Sequence, residues 1–256
     1  MTRLPIAFAA VLLASTSAFA ADLYVEPEPQ PVAPAFGGFY LRGHLGMSNQ
    51  QLGSLEHPLF NDVEIHEFLD EGGFDSAPLA GVGIGYQFND WLRADAFVEY
   101  RGDASFSALD RYGHTGGAGT VWDGTNDYSG TKSEWLLMAN AYVDVGHWYG
   151  LTPYVGAGIG ASRNTISHFR DVNVPTAGVA YGDTASTWNF AWALHAGVAY
   201  QVTDRMTLDF GYSYMNLGDA KTGDLKAYDG SVTNEPMHFK DITSHDIKLG
   251  FRYSLQ

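Results

Sequence analysis

The chain has 256 residues, of which 45% are hydrophobic and 17% are charged, a balance that suits a folded protein better than a disordered one. Its 29 Asp and Glu residues outnumber its 14 Lys and Arg residues, and the formal net charge of −15 argues against a nucleic-acid partner, since phosphate binding requires a basic surface. Because there is no cysteine, disulfide bonds, Cys-ligated metal centres and thiol catalysis are excluded, and we expect no cofactor.

The first twenty residues predict an export signal. Arg3 supplies a positive start, residues 4–13 form a short apolar run, and Ala18-Phe19-Ala20 matches a small-residue cleavage site. We therefore predict a cleaved signal peptide over 1–20, followed by a Pro-rich segment over 21–36 that stays extended because proline fixes φ and lacks an N–H. No later stretch approaches eighteen consecutive apolar residues, so a membrane crossing would have to be made by strands.

From Gly38 onward, apolar side chains alternate with polar or small ones at a period of two, which is typical of β-strands. The stretch 92–101 is the clearest, because its even positions are apolar or small whereas its odd positions include Arg93, Asp95 and Glu99. A face with this much charge cannot pack against an apolar core. The eight predicted strands are 38–48, 79–88, 92–101, 134–145, 153–162, 188–202, 206–215 and 246–255.

The connections between these strands are systematically unequal. Three at one end are short (89–91, 146–152 and 203–205), whereas four at the other end are long (49–77, 102–131, 163–187 and 216–243). A soluble β-sandwich also alternates, but it has no such asymmetry. The pattern predicts an all-β fold over 37–256: an eight-stranded antiparallel transmembrane up-and-down β-barrel with short periplasmic turns and four long extracellular loops. Both termini, including the segment 21–36, would then be periplasmic.

Aromatic residues on the apolar parity fall into two groups, as expected where amphipathic rings collect at the two membrane interfaces. The alternative interpretation is that they form the core of a soluble sandwich. The group near the short turns is Phe39, Tyr86, Phe88, Trp91, Trp148, Tyr149, Tyr200, Phe251 and Tyr253, and the group near the long loops is Tyr100, Trp135, Trp188, Phe190, Trp192, Tyr212 and Tyr214.

Five segments carry a resemblance to a known family: 18–22 (AFAAD), 37–43 (GGFYLRG), 83–88 (GIGYQF), 154–160 (YVGAGIG) and 244–253 (SHDIKLGFRY). On these, the chain resembles the small eight-stranded outer-membrane barrels of the OmpA-transmembrane and opacity-protein superfamily, especially alphaproteobacterial porin-like surface proteins. The resemblance implies integration in the outer membrane, with membrane lipid, lipopolysaccharide and the barrel-assembly machinery as partners. Members usually end in an aromatic residue that this machinery reads, whereas this chain ends Ser254-Leu255-Gln256.

Charged residues on the inward parity predict an ion-pair network in the barrel lumen. Five are positive and six are negative, and unpaired charges in a narrow lumen would be very costly. Because an eight-stranded barrel is only wide enough for its own side chains, we expect a plugged or very narrow lumen; inward glycines could instead leave a thin water path. The predicted network is Arg42, Arg93, Asp95, Glu99, Arg101, Glu134, Asp144, Asp209, Asp246, Lys248 and Arg252.

The first long loop carries seven acidic residues and no Lys or Arg. It is either a solvated acidic surface or a site for divalent cations, which take hard carboxylate oxygens and would bridge the loop to lipopolysaccharide. No EF-hand spacing is present. The acidic residues are Glu56, Asp62, Glu64, Glu67, Asp70, Glu71 and Asp75.

Other motifs give no enzymatic prediction. The glycine run 156–160 lies inside a strand, so it is a small-residue lumen stripe rather than a nucleotide loop. Ser244, His245 and Asp246 are consecutive strand residues that point to opposite faces and cannot form a catalytic triad. Histidines in the loops are interpreted as scattered surface residues, with a metal or haem ligand as the alternative: His57, His66, His114 and His168.

We therefore expect a non-enzymatic structural protein of the outer membrane that contributes to envelope integrity and presents acidic extracellular loops. Two alternatives stay open: a narrow porin for small solutes, and an adhesin or receptor that binds host or surface ligands through its long loops.

Overall fold

The computed structural model describes residues 37–232 and 235–255. The predicted signal peptide (1–20), the predicted Pro-rich segment (21–36) and Gln256 lie outside the described residues. No helix in the described part of the chain is both long and apolar enough to span a bilayer.

The described residues form β-strands joined by turns and one short 3₁₀ helix, Pro58–Asn61. The strands are β1 (Gly38–Gln51), β2 (Ser54–Glu56), β3 (Ile65–Phe74), β4 (Ala77–Gln87), β5 (Leu92–Gly116), β6 (Gly119–Asp144), β7 (Leu151–Asn173), β8 (Gly178–Gly182), β9 (Ala185–Gln201), β10 (Met206–Lys221), β11 (Leu225–Ala227) and β12 (His238–Ser254).

Eight long strands close into a ring in the order β1, β4, β5, β6, β7, β9, β10, β12, and every neighbouring pair is antiparallel. The ring closes where β12 pairs with β1, in a register that runs from Tyr40 opposite Ser254 to Gln51 opposite Thr243. Closure pairs the backbone groups that an open sheet would leave at its edges. The predicted eight-stranded barrel is confirmed, with short connections at residues 88–91, 145–150 and 202–205, an end of the barrel that we call the turn end.

The outer surface near the turn end is an apolar belt. Along β6, Trp135 and Leu137 are exposed whereas Leu136 and Met138 are buried, and the other ring strands alternate in the same way. Exposed aromatic rings such as Phe88 and Trp148 border the belt at the turn end, and rings such as Trp135, Trp188 and Phe190 border it on the other side. An apolar surface of this extent suits lipid rather than water.

Three ring strands continue far beyond the belt. β5, β6 and β7 have 25, 26 and 23 residues, although about ten residues suffice for a tilted strand to cross a bilayer. We call the region beyond the belt the distal half; it comprises the described parts of 52–76, 102–133, 163–187 and 216–243. Much of what the sequence predicted as long loops is therefore strand, and β3, β8 and β11 add to the same wall.

On β5, side-chain direction inverts at the boundary between the two regions. On β5, the register shifts between Arg101 and Ala104, and beyond that bulge Phe106 and Ala108 point inward while Ser105 and Ser107 are exposed. The predicted strand 92–101 ends where β5 leaves the belt, because the prediction placed apolar side chains outward and beyond the bulge they face inward.

An apolar core fills the interior of the distal half. Phe106 lies at the centre of an aromatic cluster, with ring centroids 4.9 Å from Phe239 and 5.5 Å from Phe74. Phe169 packs edge-on against Phe239 at 6.1 Å. These rings are buried, and they belong to the same cluster as Leu136. The lumen of the belt region therefore meets packed apolar side chains on its distal side.

Candidate functional site

Within the belt, the lumen contains a ladder of ion pairs. The eleven residues of the predicted network face the lumen, and each makes at least one ion pair. Nearest the turn end, Arg252 lies 2.9 Å from Asp209 and Arg93 lies 3.2 Å from Asp144. The next level pairs Arg42 with Asp95, and the remaining members lie nearer the distal half.

Arg101 is the centre of the distal level. Its guanidinium is fully buried and donates hydrogen bonds to Glu99 at 2.8 Å and to Asp246 at 2.7 Å. Two hydroxyls, Ser244 Oγ at 2.9 Å and Ser48 Oγ at 3.1 Å, accept from the same group. A buried charge is tolerated when its donors are satisfied in this way. These contacts tie β5 to β1 and β12 across the lumen.

Three further polar residues of the barrel interior were not part of the predicted network. Lys132 Nζ donates to Glu134 at 2.7 Å and to Gln50 at 2.8 Å, and His44 Nε2 lies 2.7 Å from Glu99. His195 lies 3.0 Å from Asn140. His44 and His195 occupy inward positions of predicted strands, but the predicted network contained only Lys, Arg, Asp and Glu. Lys132 was missed because β6 begins well before the predicted start at residue 134.

Large side chains occupy the space that the inward glycines leave. A Cβ added to Gly85 would lie 2.2 Å from the ring of Tyr40, and one added to Gly156 would lie 2.4 Å from the ring of Tyr142. Arg93 stacks over Tyr142 with its guanidinium carbon 4.2 Å from the ring centroid. A cavity of about 30 Å³ remains beside Arg42, and it is large enough for one or two water molecules. The glycines thus accommodate packing rather than an open path.

A second group of polar residues lies in the distal half, around a pocket of about 280 Å³. Asp110 is fully buried there and accepts hydrogen bonds from Asn126 N at 2.9 Å, Asn126 Nδ2 at 3.0 Å and Tyr128 Oη at 2.7 Å. Burial, together with the charge of Asp110, raises the pKa of Asp171 to about 7. Burial also raises the pKa of Tyr128. We call this space the distal pocket.

The loop histidines differ from the sequence interpretation, which treated all four as scattered surface residues. His57 is only 4% exposed, and His66 Nε2 lies 2.8 Å from Asp110. Both line the distal pocket. His114 is exposed and pairs with Asp123 at 2.8 Å, while His168 adopts a positive φ of 53°. The pairing of β3 with β5 brings His66 to Asp110, and the sequence carried no signal for that register.

The predicted divalent-cation residues do not gather at one point. Glu67 pairs with Arg111 at 2.6 Å, Asp70 accepts from Gly72 N at 3.0 Å, and Glu56 accepts from Ser54 Oγ at 3.3 Å. A hydrogen bond from Thr115 lowers the pKa of Glu64. Within residues 37–232 and 235–255, no three His, Asp or Glu side chains are arranged to hold a metal ion. Divalent-cation binding by this segment stays a prediction.

Comparison with known proteins gives a family match along most of the chain. A model described as an outer membrane protein beta-barrel domain matches residues 6–254. An uncharacterised protein of Brucella abortus is 32% identical, over 94% of this chain and 94% of its own length. The outer membrane protein PagN of Salmonella typhimurium is 27% identical over 87% of this chain and 92% of its own. A putative adhesin of Rickettsia prowazekii is 27% identical over 68% of this chain and 72% of its own.

Proposed function

The chain belongs to the outer-membrane protein β-barrel family, and from this premise we propose that it is a closed, non-conducting structural protein of the outer membrane. The observation that supports this proposal best is that side chains fill the barrel at two successive depths. Arg101, Glu99 and Asp246 are fully buried within the belt, and the cluster around Phe106 is buried beyond it. A hydrated ion or solute would have to displace both layers.

The same contacts explain how such a protein would stabilise the envelope. The belt is held in lipid by its apolar outward face, and the eight described ring strands close on themselves, so none of them has a free edge within the belt. Ion pairs such as Arg42 with Asp95 and Arg252 with Asp209 then join strands across or around the lumen. The result is a rigid cylinder that resists deformation.

A liposome-swelling assay tests the absence of solute transport. The folded protein is reconstituted in vesicles, its insertion is verified by protease protection, and an open porin serves as the positive control. We expect no swelling above that of protein-free vesicles in small sugars. Swelling that rises with the amount of inserted protein would contradict the proposal and favour the narrow porin.

We further infer that the distal half is extracellular and that both termini are periplasmic. Short turns at one end and long extensions at the other support this orientation. Epitopes inserted after Gly117, in the exposed β5–β6 hairpin, and after Asp204, in a short turn, form a matched pair. An antibody against the epitope should label intact cells that carry the insertion after Gly117 and should not label those that carry it after Asp204. Labelling of only the Asp204 insertion would overturn the orientation.

A second candidate function is adhesion through the distal half. The distal half is folded strand rather than loose loop, and it exposes acidic residues such as Glu64, Glu71 and Asp123, so it presents a fixed surface to a ligand. The name of the Rickettsia relative, a putative adhesin, points the same way.

Cells that display the protein can be compared with cells that carry Glu64→Gln, Glu71→Gln and Asp123→Asn. The matched control neutralises two exposed acidic residues in the turn-end connections, Asp90 and Asp204. Adhesion that falls with the first set and not with the second supports this function. Equal adhesion of all three strains to host-cell surfaces would remove it.

A further inference from the structure

We propose that the distal pocket binds a small organic cation, a protonated amine, with Asp110 and Asp171 as its counter-charges. This goes beyond a structural role, and it concerns a part of the molecule that the lumen and the lipid belt do not use. Three features support it: the size of the pocket, the placement of its carboxylates and the chemistry of its walls.

The pocket has the size and lining of a small-molecule site. Its volume of about 280 Å³ lies just below the common range for ligand pockets, roughly 300–1,000 Å³. Phe60, Tyr112 and Tyr128 line it, together with the aliphatic side chains of Leu59, Val63, Leu225 and Met237. Phe60 stacks on His66 with centroids 4.4 Å apart and meets Tyr128 edge-on at 6.2 Å. These contacts hold the aromatic wall in place.

Strand register brings the two carboxylates to the same pocket. On β6, Asn126 lies opposite Asp110 of β5, while Tyr128 lies opposite Asp171 of β7. Asp110 and Asp171 therefore flank the inward face of one strand. Asp110 accepts three hydrogen bonds from Asn126 and Tyr128 and also contacts His66 Nε2 at 2.8 Å, but Oδ1 of Asp171 is buried and accepts no hydrogen bond from any described residue.

The pocket carries negative charge without a strong cation to balance it. Its described lining includes Asp62, Asp110 and Asp171 and no Lys or Arg; His57 and His66 are its other titratable side chains apart from the two tyrosines. Two carboxylates in one desolvated site repel each other, which agrees with the raised pKa of Asp171. A cation bound beside Asp171 would relieve this repulsion.

The walls favour an ammonium group over a metal ion. A calcium ion takes six to eight oxygen ligands, but the hydrogen bonds to Asn126 and Tyr128 already occupy Asp110, and much of the remaining wall is aromatic or aliphatic. Aromatic faces attract a desolvated organic cation, and a carboxylate supplies its hydrogen-bond acceptor. The geometry thus suits an alkylammonium whose charged end meets Asp171 and whose alkyl part contacts Phe60.

Calorimetric titration of the full-length folded protein, in a nonionic detergent at pH 8, tests the proposal. The probes are butylammonium, its neutral analogue butan-1-ol, and calcium chloride. We expect saturable binding of butylammonium and at least tenfold weaker binding of butan-1-ol. Because this comparison uses the wild-type protein alone, it decides the question even where a variant fails to fold.

Two substitutions then locate the site. Asp171→Asn should weaken butylammonium binding at least tenfold, whereas Asp123→Asn, an exposed carboxylate of the distal half outside the pocket lining, should leave it unchanged. The proposal is overturned by equal affinity for butylammonium and butan-1-ol, by unaltered binding to a folded Asp171→Asn variant, or by binding of calcium without butylammonium.

Discussion

The belt region and the distal half share the same strands but bury opposite kinds of side chain. On β5, Arg101 is buried and Tyr100 is exposed within the belt, whereas Phe106 is buried and Ser107 is exposed in the distal half. The backbone ladder continues through both regions with a bulge between them. The barrel wall is therefore set by backbone pairing, while the medium outside each segment, lipid or water, decides whether polar or apolar side chains face inward.

The largest expected effect comes from the polar interior of the belt. Arg101→Met should lower the free energy of unfolding by about 3–5 kcal/mol, because it leaves buried carboxylates without their main partner. The matched change in the distal half, Arg111→Met, removes the partner of an exposed Glu67 and should cost about 0–1 kcal/mol. Urea titration of the protein folded in lipid vesicles measures both values. Equal losses would contradict the burial assigned to Arg101.

The apolar interior of the distal half gives the next effect. Phe106→Ala should cost about 3–5 kcal/mol, because a fully packed ring is removed from contact with Phe74 and Phe239. Part of this loss is relieved if the distal half collapses around the cavity, so we rank it below Arg101→Met. Hydrogen exchange should show faster opening of distal amides and unchanged protection in the belt. Uniform loss of protection would mean that the halves unfold as one unit.

The outward faces provide a smaller contrast. Ile159→Arg, on the lipid-facing side of β7, should cost about 2–4 kcal/mol if it lies at the bilayer midplane, and less towards either interface. Ser107→Arg, on the outward face of the distal half, should stay within about 0.5 kcal/mol of wild type. The same vesicle titration compares them. A large loss of stability in Ser107→Arg would mean that the outward face of the distal half contacts lipid rather than water.

The last contrast concerns how the charge of the distal pocket makes stability depend on pH. The raised pKa of Asp171 means that its ionised form destabilises the folded state. The free energy of unfolding is therefore highest below about pH 3.8, the pKa of the unfolded chain, and falls as the pH rises through about 7. Asp171→Asn should therefore raise Tm most above pH 7, by roughly 2–4 °C for each kcal/mol relieved, and the gain should vanish near pH 4. Asp123→Asn is the control. An increase in Tm that becomes larger as the pH falls would contradict the raised pKa of Asp171.

The sequence predicted the belt well and the distal half poorly, for physical reasons. Strict alternation over 92–101 is typical of a strand that lies between lipid and a polar lumen. The alternation therefore predicted the strands of the ring and which charged residues face the lumen. Beyond Arg101, even positions such as Ala104 and Phe106 are still apolar, as they are in the belt, but the bulge turns them inward, and the sequence carries no signal for that change of face. Asp110 and Asp171 lay in two different predicted loops, and only the register of β5, β6 and β7 brings them together.

Single-channel recording in a planar bilayer tests the central claim most directly, namely that the barrel is closed both within the belt and beyond it. The folded protein is inserted, its insertion is confirmed by protease protection of the belt, and current is followed over a salt series with Arg93→Ala as a companion variant. The account predicts a silent bilayer for the wild-type protein. Steady, reproducible openings whose ion selectivity changes in Arg93→Ala would contradict it and make the ion-pair ladder the selectivity filter of a narrow porin.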